Sequence, residues 1–126
     1  MQIERIDHLV LTVHDIGQTI AFYVDLLGMT HITFGDDRHA LQFGQQKLNL
    51  HRSEHPFTPH AKHPLPGSID LCFLTSTPLA DVIIELRRKD VVIELGPVMR
   101  SGAQGALESI YLRDPDGNLI EIANAK

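Results

Sequence analysis

The chain has 126 residues, 43% of them hydrophobic and 21% charged. That is enough for a soluble core, and no run approaches the ~18 consecutive apolar residues of a membrane span. Eleven basic residues against sixteen acidic ones give a net charge of −5 with no basic cluster, which argues against a nucleic-acid partner. The one cysteine, Cys72, rules out an intrachain disulfide; with no secretory leader at the N-terminus, the expected compartment is the reducing cytoplasm.

The first predicted strand covers Ile6 to Val13 and alternates. Leu9, Leu11 and Val13 form an apolar face, and Ile6, His8, Val10 and Thr12 a mixed one. Asp15 is a candidate N-cap for a helix whose apolar stripe is Ile16, Ile20, Tyr23, Val24 and Leu27, stopped at Gly28. Three strands are expected next, over Met29 to Gly35, Arg38 to Gly44 and Lys47 to Ser53. Residues 54–66 hold Pro56, Pro59, Pro64 and Pro66 and read as an extended linker. Among the eight histidines, His55, His60 and His63 fall in this segment, where the prolines spoil metal-ligand spacing.

The second half repeats the order. A strand covers Ser68 to Thr75. Thr77 is expected to cap a helix with Pro78 at its first position and a stripe of Leu79, Val82, Ile83 and Leu86. Val91 to Glu94 reads as a strand closed or bent by Gly96-Pro97, and Ser101 to Gly105 as a flexible loop. Ser109 to Arg113 and Leu119 to Ala123 are strands joined by a tight turn, Asp114 to Asn118. The pattern is βαβββ twice: module one about 1–53, module two about 67–126, and an α+β fold with helices backing a mixed sheet.

In the register of this repeat His8 falls on Asp70. On the candidate strands the apolar set has one parity and the odd polar residue the other, so His8, Asp70 and Glu121 share one kind of face, with Asn49 and His51 on the matching strand of the first half. Each residue also has a plainer reading: His8 as a hydrogen-bonded core histidine, Asp70 as a turn cap, Glu121 and His51 as surface strand residues. Cys72 shares the parity of Asp70, but no base stands at a recognisable spacing, so a structural thiol is the expectation. Arg100 and Arg113 are candidates to meet an anionic substrate, with solvated side chains as the favoured plainer reading.

Three stretches carry a family resemblance: Ile6 to Val13, Phe22 to Met29, and Arg113 to Ile122. With them the chain resembles the vicinal oxygen chelate superfamily, which includes glyoxalase I, bleomycin-binding proteins and extradiol dioxygenases. Phe43 to His51 and Gly67 to Cys72 look most like small glyoxalase-domain proteins, such as glyoxalase domain-containing protein 5 and virulence-related bacterial relatives. The resemblance implies two tandem βαβββ modules whose strands curl around a cavity, helices outside, in a single domain over 1–126. It implies His8, Asp70 and Glu121, with His51 as a further candidate, as ligands of a divalent metal. An imidazole with carboxylates suits Mn, Fe, Co, Ni or Zn. Asn49, Cys72 and Arg100 would line the substrate pocket. The family pattern has a histidine where Asp70 stands, which argues against a dioxygenase-type His-His-carboxylate triad unless His51 substitutes; glyoxalase I itself is not favoured, because no glutathione-recognition pattern is evident and Asn49 replaces the carboxylate expected there.

The function expected is a metal-dependent enzyme of lyase or isomerase type, acting on a small molecule through vicinal oxygens, with Glu121 or a carboxylate released from the metal as base. The alternatives are a metal-free sequestering protein of the bleomycin-resistance type and a regulatory protein with a vestigial site. A homodimer is expected, with neither nucleic acid nor membrane as partner.

Overall fold

The computed structural model describes residues 1–126, which divide into two compact units, Met1–Ser68 and Ile69–Lys126. The first contains β1 (His8–Val13), α1 (Ile16–Ile20), a π-helical segment (Ala21–Leu26), β2 (Thr30–Phe34), β3 (Arg38–Phe43) and β4 (Gln46–Arg52). The second contains β5 (Asp70–Leu74), α2 (Leu79–Arg88), β6 (Leu95–Gly102), β7 (Gly105–Arg113) and β8 (Leu119–Ala125). Each unit is one four-stranded mixed sheet, in order β1-β4-β3-β2 and β5-β8-β7-β6. In both, the first strand runs parallel to the last, and the other neighbours are antiparallel. This is the α+β fold of two tandem βαβββ modules. No helix is long and apolar enough to cross a membrane.

The repeat holds to the residue. His8 lies opposite Lys47 and Val10 opposite Asn49, while Asp70 lies opposite Leu119 and Cys72 opposite Glu121. His8 and Asp70 are therefore equivalent, as are Asn49 and Glu121. Strand alternation sends Leu11, Val13, Leu41, Leu48 and Leu50 to one face of the first sheet, all buried. Ile110, Leu112, Ile120 and Ile122 do the same in the second. Burying side chains of this size contributes about 1.5–3 kcal/mol each.

Asp15 caps α1 as expected, its carboxylate accepting the Gln18 N–H at 2.8 Å. The helix does not remain α to its end: Leu27 N–H reaches the Phe22 carbonyl at 3.3 Å, and Tyr23 in the π stretch is wholly buried. Gly28 takes φ +75° and stops it.

Three expectations for the second half are corrected. Thr77 does not cap α2; Pro78 occupies the cap position, and the Leu79 N–H donates to Asn124 Oδ1 of β8 at 2.8 Å. Val91 to Glu94 is not a strand. The strand begins at Leu95 and runs through Gly96-Pro97 with an irregular register between Leu95 and Val98. It does so because β6 is an edge strand, where the N–H that proline lacks is not needed. Gly96 itself is required, since a Cβ there would stand 2.5 Å from the Ser109 carbonyl oxygen. Ser101 to Gly105 is not a loop either: Gly102 and Gly105 pair, leaving Ala103-Gln104 as a tight hairpin turn.

Candidate functional site

The face of the second sheet opposite its apolar core carries Asp70, Cys72 and Leu74 from β5, Glu121 from β8, Leu107 and Tyr111 from β7 and Arg100 from β6. Part of it forms a pocket of about 650 Å³ lined by Cys72, Leu74, Arg100, Leu107, Glu121 and Lys126 and walled by the β6–β7 hairpin. The hairpin residues Gly102, Ala103, Gly105 and Ala106 are small, so backbone and Cβ atoms form that wall.

Cys72 and Glu121 are cross-strand partners, and the thiol hydrogen-bonds the carboxylate. Cys72 is open to solvent, yet desolvation by its surroundings, followed by the negative charge of Glu121, pushes the thiol pKa up to about 11. At neutral pH it is a proton donor, not a thiolate nucleophile. Glu121 Oε1 is buried and has no hydrogen-bond partner. A carboxylate oxygen left unmatched in a pocket wall is costly unless a ligand completes it.

Arg100 and Tyr111 add a second polar group on this face. The Arg100 Nε–H donates to Tyr111 Oη at 2.9 Å, and Nη1 donates to the Met99 carbonyl at 3.2 Å. Arg113 is committed elsewhere, gripping both oxygens of Glu94 at 3.1 Å. Asp70 is exposed at the start of β5, where Ile69 N–H is held by Asn118 Oδ1 at 2.9 Å.

In the first unit His8 is exposed. Its Nδ1 sits 2.8 Å from Asp7 Oδ1, and this bond holds the Asp7 carboxyl below its ordinary range. A carboxylate accepts, so Nδ1 donates in this bond and Nε2 is the ring nitrogen it leaves to another partner. Asn49 and His51 share the polar face of β4, and Asn49 Oδ1 and both His51 ring nitrogens are buried without partners. Burial foremost, then the charges of Arg38 and His60, lowers the His51 pKa, so its ring is neutral at neutral pH. The Phe57 ring from the proline-rich segment packs edge-on against it at 5.4 Å. His8 lies opposite Lys47, four residues before His51 on β4, which separates them by roughly 13 Å along the strand. The first sheet thus holds the two histidines at opposite ends.

No three His, Cys, Asp or Glu side chains converge closely enough to hold a metal by themselves. Asp37, His39 and His31 form a polar chain on the opposite face of the first sheet. His31 Nε2 lies 2.9 Å from His39 Nδ1, and His39 Nε2 lies 3.4 Å from Asp37 Oδ1. The rings are inclined by only 19° with centroids 5.1 Å apart. That separation is close to the N···N distance plus two ring radii, so the rings meet edge to edge through one hydrogen bond. Sequence reading missed this pair, and also Tyr111 and Asp7. Strand parity on β7 was the available signal for Tyr111.

The family model for the Glyoxalase/Bleomycin resistance protein/Dioxygenase superfamily matches residues 5–122. The chain belongs to this superfamily. It is 58% identical over 123 residues to virulence protein STM3117 of Salmonella typhimurium, covering 98% of this chain and 85% of that one. It is 47% identical over 124 residues to glyoxalase domain-containing protein RDO1 of Mycosarcoma maydis, covering 98% and 70%. The crystal structure of the Salmonella protein superposes with a TM-score of 0.98 at 56% identity over 100% of both chains. Superfamily membership fixes the fold, while chemistry must be argued from the site.

Proposed function

We propose that the protein is a divalent-metal-dependent enzyme of the superfamily, of lyase or isomerase type, in which Glu121 moves a proton on a small substrate bound through adjacent oxygens. The observation that carries this reading is the Glu121 carboxylate, set in the pocket wall with Oε1 buried and unmatched beside a thiol that stays protonated. His8, Asp70 and Glu121 are the metal ligands in this reading. No three such side chains converge on a metal centre in this structure, so this reading rests on donor chemistry alone: the His8 Nε2 left unbonded, the exposed Asp70 carboxylate and the unmatched Glu121 oxygen. One imidazole and two carboxylates suit Mn, Fe, Co, Ni or Zn. When bound, the metal supplies Lewis acidity to a substrate oxygen.

The chain's own residues do the rest. Glu121 accepts a proton from the substrate carbon and returns it. Cys72 holds the carboxylate's orientation by donating its S–H. Leu74 and Leu107 contribute apolar wall that limits water. The protein acts as a homodimer in this reading, because Ile3, Ile6, Val10, Leu74 and Met99 are large apolar residues left exposed.

The test is elemental analysis of untagged wild type beside His8→Ala and Glu121→Ala. Near-stoichiometric divalent metal in the wild type, lost in both variants, supports the reading. No metal after reconstitution with Mn, Fe, Co, Ni and Zn sinks it and favours the sequestering alternative, to which the apolar pocket wall also lends itself. Sedimentation of the same samples as a monomer would remove the dimer.

A further inference from the structure

We propose that Arg100, held in place by Tyr111, is an anion subsite of this pocket, and that the substrate is a short carboxylic acid bound with its carboxylate on Arg100 and its reacting carbon toward Glu121. The inference rests on the reading of this pocket as the substrate site and names the class of molecule it takes.

Arg100 lines the same pocket as Glu121 and is bonded only to neutral groups, the Tyr111 hydroxyl and the Met99 carbonyl. No carboxylate neutralises it, whereas Arg113 is closed by Glu94 and Lys126 has Glu108 at 3.6 Å. Its Nε and one Nη1 hydrogen are occupied, so the end-on Nη pair keeps its second Nη1 hydrogen and both Nη2 hydrogens for a ligand. That pair matches the two oxygens of a carboxylate. The Tyr111 ring also lies beneath the guanidinium, 5.5 Å from its centre, adding a second restraint. A guanidinium already fixed in position loses less freedom on binding than a solvated one.

The placement sets the scale of the ligand. Tyr111 is the cross-strand partner of Glu121, and adjacent strands lie about 5 Å apart. The group that anchors Arg100 therefore stands one strand from the proposed base. The charges suit a monoanion: Arg100 takes the acid, and the Glu121 carboxylate stands at the other end of the pocket. A second negative group at that end would face Glu121 and be repelled.

The experiment measures binding of pyruvate, lactate and 4-hydroxybutyrate, each beside its methyl ester, by saturation-transfer NMR and calorimetry. The proteins are wild type, Arg100→Gln, Arg100→Lys, Tyr111→Phe and Glu121→Gln. At least one acid should bind wild type more tightly than its ester. Arg100→Gln should weaken the acid about ten- to hundredfold, as expected for a lost charge-assisted pair, and bring acid and ester level. Arg100→Lys should recover part of the loss. Tyr111 is a positioning residue, so Tyr111→Phe should weaken the acid and leave the ester unchanged. Glu121→Gln should keep the preference for the acid. Equal binding of acids and esters to wild type, no binding of any acid, or an unchanged acid affinity in Arg100→Gln each overturns the proposal. Acid selectivity that depends on Arg100 in a protein that takes up no metal would keep the subsite and reject the enzyme.

Discussion

Asn118→Ala should destabilise the second unit strongly, although the residue touches no pocket atom. Asn118 is 1% exposed and Asp114 5%. The amide does two things: Nδ2 donates to Asp114 Oδ2 at 2.7 Å, and Oδ1 accepts the Ile69 N–H at 2.9 Å. Alanine removes both bonds. It keeps the backbone bond from Asn118 N–H to Asp114 Oδ1 at 2.9 Å, so the turn itself has a remaining tie. The charge-assisted bond contributes about 1.5–3 kcal/mol and the neutral one about 0.5–1.5, which together give roughly 2–4.5 kcal/mol. For a chain of this length that is a fall in Tm of roughly 10 °C. Urea denaturation followed by circular dichroism measures it, with Gln104→Ala at the exposed hairpin tip as a control expected to change nothing. A loss below about 1 kcal/mol would refute the reasoning, because it would mean the Asp114 carboxylate and the start of β5 do not depend on this side chain.

Glu121→Gln should lower the Cys72 pKa from about 11, because it removes the nearby negative charge, though burial will keep it above the ordinary value; alkylation rate against pH reads this directly. The folded thiol holds its proton more tightly than the unfolded one, so stability should decline as pH rises from about 9 to about 11, and Cys72→Ala should flatten that decline. His51 has the opposite sense: its folded pKa lies below the 6.5 of a free ring, so stability is lost as pH falls through 6.5 toward that value. His51→Leu should remove this acid sensitivity and hold or raise the urea midpoint at neutral pH, since it also eliminates two unpartnered buried nitrogens. Asp7→Asn should reduce metal affinity about 10–100-fold without unfolding the chain, since Asp7 orients His8 from the surface; a competition titration with a chelator checks it.

The parts of the fold set by short-range chemistry were legible in the sequence. Asp15 and Gln18 sit within one turn, so the cap of α1 shows in four residues. Alternation on β1, β4, β5 and β8 was enough to place His8, Asn49, His51, Asp70, Cys72 and Glu121 on the faces they occupy. What failed depended on distant partners. Asn124 caps α2 from 45 positions away, replacing the Thr77 a local rule selects. The Gly96-Pro97 pair signals a strand end only if the strand is central, and sheet order is not written in a local window. Arg100 was recognisable as a pocket candidate, but its anchor, Tyr111, was not. Nothing in the spacing between them encodes a bond that exists only because β6 and β7 pair.

The outer strand of the second sheet has an implication for handling the protein at high concentration. Leu95 and Met99 are exposed on β6, which makes that margin sticky and open to another chain's backbone. Pro97 removes a donor from the row of amides a newcomer would need, and the slipped register beside it bends the row. The irregularity works as a guard against runaway strand-by-strand growth, and an unbroken β-former run in its place should make the protein precipitate on standing.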